Sequence, residues 1–368
     1  MRLPYILILL SLSFGAFAAE LSGPLSGRLA VDKSPYLVHK DIRVEPGDTL
    51  IVDAGVTMQF DSTVVFTVEG CLLANGTSER PIVFTASNPL RLKPEWEGIE
   101  FSNRSKDGST LTHCVVEFAR RGMMVFSSSP AIANCTIRYC AGDGIMLKVS
   151  QSRLLHNTVQ ENGKAGIHAT AFRGIISGNT ILENHGDGLV LVKSAGLVEK
   201  NRVLRNGDDG IFARLSSDRI QENRLIQNKD DGILVEGGNP EIFNNLINRS
   251  TFGIFGYKGA KPLLVNNTLT GHLYGLFARG GTLIKLENSI LWQNQTPVMA
   301  DSVSRVVVQY CNVEGGYPGN GNLDRDPRFA DEIEYPLTSD SPCLNRGNPE
   351  PLIHEEHPAV RHIGASLK

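Results

Sequence analysis

Asp208-Asp209 and Asp230-Asp231 are two carboxylate pairs set 22 residues apart, each directly before a glycine. Carboxylates brought together by a fold can share a proton, divide acid and base work, or hold a calcium ion. Asp143 and Asp187 precede glycines in the same phase, so the pairs belong to a longer acidic series. Another reading needs no ligand. Asp-Gly is turn chemistry, the short side chain bonding local backbone and the glycine supplying a positive φ.

A second group of side chains keeps the same phase. If the residue after each repeat glycine points inward, Phe212, Leu234, Phe255 and Phe277 form one outward column, with Arg214, Glu236, Tyr257 and Arg279 beside it. Aromatic faces next to Arg and Glu suit an extended sugar chain, which stacks on rings and bonds through hydroxyls or carboxylates. The same columns would also serve to pack a loop or the C-terminal segment over the sheet. His168 and Lys148 fall on this face nearer the N-terminus and are candidate bases.

The elements that must position these groups are visible as a repeat. Glycine followed by an aliphatic residue recurs at Gly144, Gly166, Gly188, Gly210, Gly232, Gly253 and Gly275, at intervals of 22, 22, 22, 22, 21 and 22. Asparagine recurs at Asn157, Asn179, Asn201, Asn223, Asn245, Asn267 and Asn288, and again at Asn162, Asn184, Asn206 and Asn228. Aliphatic residues hold fixed places around them, as at Ile176, Ile181 and Leu189. Each unit thus carries three short apolar segments with period-2 alternation, too short for helices. Stacked in register they predict an all-β solenoid, a right-handed parallel β-helix of about 12 coils of about 22 residues with three parallel sheets. At about 4.8 Å per coil the rod would be about 58 Å long. The asparagines are expected to take the left-handed bend between the second and third strands and to hydrogen-bond from coil to coil.

The repeat pattern, as in Asn179-Thr-Ile-Leu-Glu-Asn184-His-Gly-Asp-Gly188-Leu, resembles the right-handed parallel β-helix repeat family within the pectin-lyase-like folds. Gly47-Asp-Thr-Leu-Ile-Val, Pro81-Ile-Val-Phe-Thr and Trp96-Glu-Gly-Ile are similar to the opening coils of secreted bacterial members, and Asp326-Pro-Arg-Phe and Ser341-Pro-Cys-Leu to their closing segment. The resemblance implies a fold that hosts lyases, hydrolases, epimerases and adhesins, so activity must be argued from a site. Polygalacturonases place paired aspartates on adjacent coils, as at Asp208 and Asp209, but the remainder of their pattern is missing. The Arg-x-Pro-x-x-Arg of pectate lyases and the Asp-Pro-His-Glu of alginate epimerases are missing too. Carbohydrate binding or a cell-envelope role is therefore expected first, polysaccharide cleavage or epimerisation second, and a purely structural surface role third.

The rest of the chain bounds these readings. Its 368 residues are 41% hydrophobic and 20% charged with a net charge of −3, which gives no case for nucleic acid. Residues 1–19 read as an export signal: Arg2, a short apolar run, then Ala16-Phe17-Ala18. A secreted, periplasmic or surface location follows, with no transmembrane segment. Residues 20–41 and 314–368 are expected to cap the solenoid of 42–313, since bare sheet edges invite aggregation.

Cys114, Cys135 and Cys311 fall in phase with the asparagine column and Cys140 with the second one. Stacked cysteines would lie close enough for a disulfide, but parallel Cβ vectors disfavour the torsion, so free buried thiols are expected. Cys71 and Cys343 show no evident partner. Without a Cys-x-x-Cys, structural zinc is not indicated. His354-Glu355-Glu356-His357, with His362, reads as a solvated tail because its histidines stand three apart.

Overall fold

The computed structural model describes residues 18–88, 96–105, 108–350, 352 and 362–365. Most of the expected signal segment and the His354–His357 cluster lie outside the described residues. The chain winds as a right-handed parallel β-solenoid, and its one helical element among them is the short turn Val31–Lys33. Sheet one holds the strands that follow the repeat glycines, such as Ile167–Thr170 and Ile211–Arg214. Sheet two holds Ile175–Ser177 and its equivalents, and sheet three Thr180–Leu182 and its equivalents. Successive strands of the regular coils pair in parallel without slip, as in Ile176↔Val198 and Ile181↔Val203, and among the described residues the register shifts only between Leu21 and Gly23 in the first pair.

Sheet two has thirteen strands, so the described chain makes thirteen turns where about 12 were expected. The additional turn lies in residues 20–41, expected as a cap. Ala19–Pro24 and Gly27–Leu29 pair in parallel with the next coil and form the first turn of the stack. Tyr36–Val44 is one long strand, pairing through Tyr36–Val38 with sheet three and through Ile42–Val44 with sheet one. That shared strand joins the two into one sheet of 25 strands.

Period-2 alternation fills the interior. Ile176, Val198, Ile181, Val203, Leu189 and Ile211 are all fully buried. Toward the N-terminus the filling becomes aromatic, with Phe60 stacked on Trp96 at 4.1 Å. A solenoid core of this kind is closed only by the coils above and below.

The buried corners are closed by side chains in ladders. Each asparagine Oδ1 accepts the backbone N–H of the preceding coil's asparagine: Asn201 from Asn179 and Asn223 from Asn201, at 2.9 and 3.0 Å. Its Nδ2 donates to a strand carbonyl one coil below, as Asn201 does to Ile176 at 2.9 Å, and to the next asparagine. Cys114 and Cys135 begin the column, and Cys311 joins it near the far end. All six cysteines are free thiols.

Two details of the turn differ from expectation. The left-handed residue is the one before the ladder asparagine, filled by Lys200 (φ 56°) and Glu222 (φ 54°) among others. Asn288 (φ 51°) is such a residue; the ladder passes through Ser289, whose Oγ accepts the Asn267 N–H. Nor do the repeat glycines supply positive φ. A Cβ on Gly188 would stand 2.4 Å from Val203 and 2.8 Å from Asn206, so glycine is there for space.

Replacing Asn201 by Ala orphans the Asn179 N–H in the interior and takes from the Ile176 carbonyl its side-chain donor. At about 1–3 kcal/mol per buried group, the urea midpoint of Asn201→Ala is expected to fall well below wild type. A midpoint like that of a surface Asn substitution would show the ladder to be dispensable.

Candidate functional site

The acidic series sits at the corner where the chain leaves sheet three and enters sheet one. Asp208 and Asp230 are exposed, whereas Asp209 and Asp231 are 4% and 2% exposed. The four aspartates singled out as candidate catalytic groups are therefore two unlike pairs. The buried members form a ladder of their own. Asp143 accepts the Ala165 N–H at 3.2 Å, Asp187 the Asp209 N–H and Asp209 the Asp231 N–H, both at 3.0 Å. Asp-Gly here is turn chemistry between coils rather than within one.

That ladder changes the protonation of its members. Burial pushes Asp187 up to about 6, Asp209 to about 8 and Asp231 to about 9, and neighbouring carboxylates add to the rise. Asp208 is raised as well, by partial burial and by Asp230. Carboxylate oxygens of Asp187, Asp208 and Asp209 gather within 4.8 Å of one another, as do those of Asp209, Asp230 and Asp231. This corner can hold a proton at neutral pH or gather ligands for a cation.

The column does not end at Asp231. Strand register runs Asp231↔Phe252↔Tyr274, so the place held by aspartate becomes aromatic one coil later. Phe252 and Tyr274 precede the repeat glycine and were not among the expected site residues. The spacing could have shown them, since Asp209, Asp231, Phe252 and Tyr274 stand 22, 21 and 22 residues apart.

With Phe255, Tyr257 and Phe277 they make a cluster of five half-buried rings on the outer face of sheet one. Phe252 stacks on Tyr274 at 5.1 Å, and Phe255 on Phe277 at 5.0 Å. Phe212 and Leu234 continue the outward column toward the N-terminus, each opposite its neighbour in the ladder. His168 belongs to this column too and lies 3.6 Å from Asp143; Lys148 is exposed at the same face's rim.

The charged groups form a rim beside the rings. Glu236 is gripped by Arg214 at 3.6 Å and by Lys258 at 2.7 Å, and Lys258 also lies 5.1 Å over the Tyr257 ring. Lys258 has no place in the outward columns, since it follows the strand Phe252–Tyr257 in a left-handed turn. Arg279 stands exposed just past its strand, anchored by its N–H to the Gly256 carbonyl. The face thus has an acidic ledge, an apolar floor and a largely basic rim.

Among the described residues, the C-terminal segment packs elsewhere. Glu334 pairs with Arg224 at 2.6 Å, the Tyr335 hydroxyl accepts from Asn248 at 3.0 Å, and Ala365 donates to Thr268 at 2.9 Å. Ile363 and Cys343 pack on Ile290, with Trp292 alongside. These partners belong to sheet three, which is why Asn248 and Thr268 are buried although they point away from the core. Asn348 and Leu352 reach sheet two through Glu287. The last coil is closed by Asn322, whose Oδ1 accepts the Cys311 N–H, and by Tyr317 against the core.

Comparison with known proteins agrees with this architecture. The family model described as "Right handed beta helix region" matches residues 53–196, 123–269 and 209–322. The crystal structure of pectate lyase Pel9A is similar, with a TM-score of 0.51 at 14% identity, covering 88% of each chain. The A-module of mannuronan C-5 epimerase AlgE6 from Azotobacter vinelandii gives 0.49 at 15% identity, over 82% of this chain and 91% of that one. At 14% identity the likeness to Pel9A bears on the fold alone. Protein bark beetle of Drosophila melanogaster is 46% identical over 55 residues, 15% of this chain and only 2% of that protein's length. Among the described residues no helix is long and apolar enough to cross a membrane.

The raised carboxyls carry a consequence for stability. In the fold Asp209 and Asp231 stay protonated up to about 8 and about 9, whereas in the unfolded chain they ionise near 3.8. Between those values the unfolded chain binds fewer protons, so stability falls as pH rises. In chelator-treated buffer the urea midpoint is expected to drop from about pH 4 to about pH 9, and Asp231→Asn to flatten that drop. A midpoint that holds steady, or an equal drop in the variant, would contradict burial as its cause.

Proposed function

We propose, for a chain that belongs to the right-handed β-helix family, that the outer face of sheet one binds an extended carbohydrate chain. One observation carries the reading: four stacked rings and the tilted Tyr257 stand half exposed, and no described residue of the C-terminal segment bonds to them. Rings at this spacing, about 4.8 Å from coil to coil, offer an apolar strip against which pyranose faces can pack. Arg214, Lys258 and Arg279 on one side supply donors for hydroxyls or carboxylates. A cluster serving only as packing would be covered, as Ile290 is by Cys343 and Ile363 of the tail.

A second reading is cleavage or epimerisation of such a chain. It is favoured by the register that sets Phe252 directly beside Asp231, a carboxyl that burial keeps protonated at neutral pH. Buried Asp231 and the exposed Asp208 and Asp230 set unlike carboxyl environments side by side at the end of the track, the arrangement that acid–base cleavage draws on. We also propose that the mature chain acts outside the cytoplasm, on the strength of the export signal read in residues 1–19.

Retention on a glycan array followed by product analysis separates the readings. Phe255→Ala with Tyr257→Ala is expected to abolish retention while costing about 2–4 kcal/mol of stability, the worth of the three ring contacts that the two substitutions remove. Retention that survives in the folded double variant would overturn the first reading. Shortened, unsaturated or epimerised products from wild type would establish the second.

A further inference from the structure

The carboxylate ladder stops with one oxygen unanswered. Asp187 and Asp209 each receive the N–H of the aspartate one coil on. Asp231 should receive the next one, but its following coil is a residue short, with Gly232 and Gly253 only 21 apart. The N–H groups of Thr251 and Phe252 turn instead to the Asp230 carbonyl, at 2.7 and 3.3 Å. Asp231 is 2% exposed and its Oδ1 has no hydrogen-bond partner. A buried oxygen left in that state costs about 1–3 kcal/mol, more if it carries charge.

Around it the donors are all hard oxygens. Carboxylate oxygens of Asp209, Asp230 and Asp231 lie within 4.8 Å of one another. Asp230 faces solvent, leaving an open side where water can complete a shell. Oxygen-only donors, no histidine or thiolate among them, and a water-accessible side favour calcium over zinc, and calcium tolerates irregular geometry better than magnesium does. The neighbouring trio of Asp187, Asp208 and Asp209 differs, because Oδ1 of both Asp187 and Asp209 already accepts an N–H, whereas Oδ1 of Asp231 accepts none.

We propose that Asp209, Asp230 and Asp231 bind one calcium ion, with the unpartnered Oδ1 of Asp231 among its ligands and Asp230 closing the site from solvent. The ion would occupy the junction where the acidic ledge meets Phe252. It would do for the last rung of the ladder what a backbone N–H does for the earlier rungs. The coil-length change and the orphaned oxygen point to this ion whether or not the face binds a glycan.

The test is calorimetric titration of the EDTA-stripped, dialysed full-length mature protein with calcium chloride, in the absence of any glycan. Wild type is expected to take up one calcium per chain and to melt at a higher temperature with it. Asp230→Asn, an exposed change that spares the ladder, is expected to weaken binding by about tenfold or more, and Asp231→Asn to abolish it. Asp143→Asn, in the same column but far from the trio, is expected to bind as wild type. No uptake by folded wild type would overturn the proposal. So would unchanged affinity in Asp230→Asn, which decides the matter even if Asp231→Asn does not fold. Glycan retention by Phe255→Ala with Tyr257→Ala is read separately, so either claim can fail alone.

Discussion

Every corner of this solenoid turns buried backbone away from a sheet, and the N–H groups there must find partners one coil along. The asparagine ladder meets that demand by giving each rung an acceptor and a donor toward the preceding coil and donors toward the next. The requirement is reciprocal, so it sets the coil length. A residue added or lost on one side leaves a donor or acceptor stranded on the other, at a cost of about 1–3 kcal/mol. This is why the period holds at 22 through coils whose outward residues share little.

The same constraint explains where the candidate site lies. The one coil that departs from 22 between Gly144 and Gly275 is the one separating Asp231 from Phe252. On its near side stand carboxylates that answer each other's N–H groups, and on its far side stand stacked rings. The irregularity strips Asp231 of its donor and lets the first ring of the cluster occupy the aspartate position. Two chemistries that a regular ladder would keep apart are brought into contact. The tail, meanwhile, spends its apolar residues on sheet three, where Ile290 and Trp292 need cover.

Much of this was legible in the sequence because solenoid geometry maps period onto position. The aliphatic columns through Ile176, Ile181 and Leu189 predicted three sheets and a core, and the outward columns paired Phe212 with Leu234 and Phe255 with Phe277. The first coil was hidden because Ala19–Val44 carries neither the Asn nor the Gly marker; its bend is made by one long strand. Asn288 misled by chemistry, since asparagine suits both the left-handed position and the ladder, and only the structure shows Ser289 as the rung. The role of the glycines was misjudged for a similar reason: crowding by Val203 and Asn206 demands glycine as firmly as a positive φ does. Phe252 and Lys258 lay outside the columns counted from the glycine. Which sheet the tail would cover leaves no periodic trace, because the tail is not periodic.

Side-chain amide hydrogen exchange, followed by NMR with selectively labelled asparagine, probes the ladder itself. If coil-to-coil bonding holds the solenoid in register, the Nδ2 protons of Asn179, Asn201 and Asn223 will exchange only as the whole stack opens, orders of magnitude slower than those of the exposed Asn320. Exchange of the three at the rate of Asn320 would mean that the rungs are not bonded, and the register on which the carboxylate trio and the ring cluster both depend would have no cause.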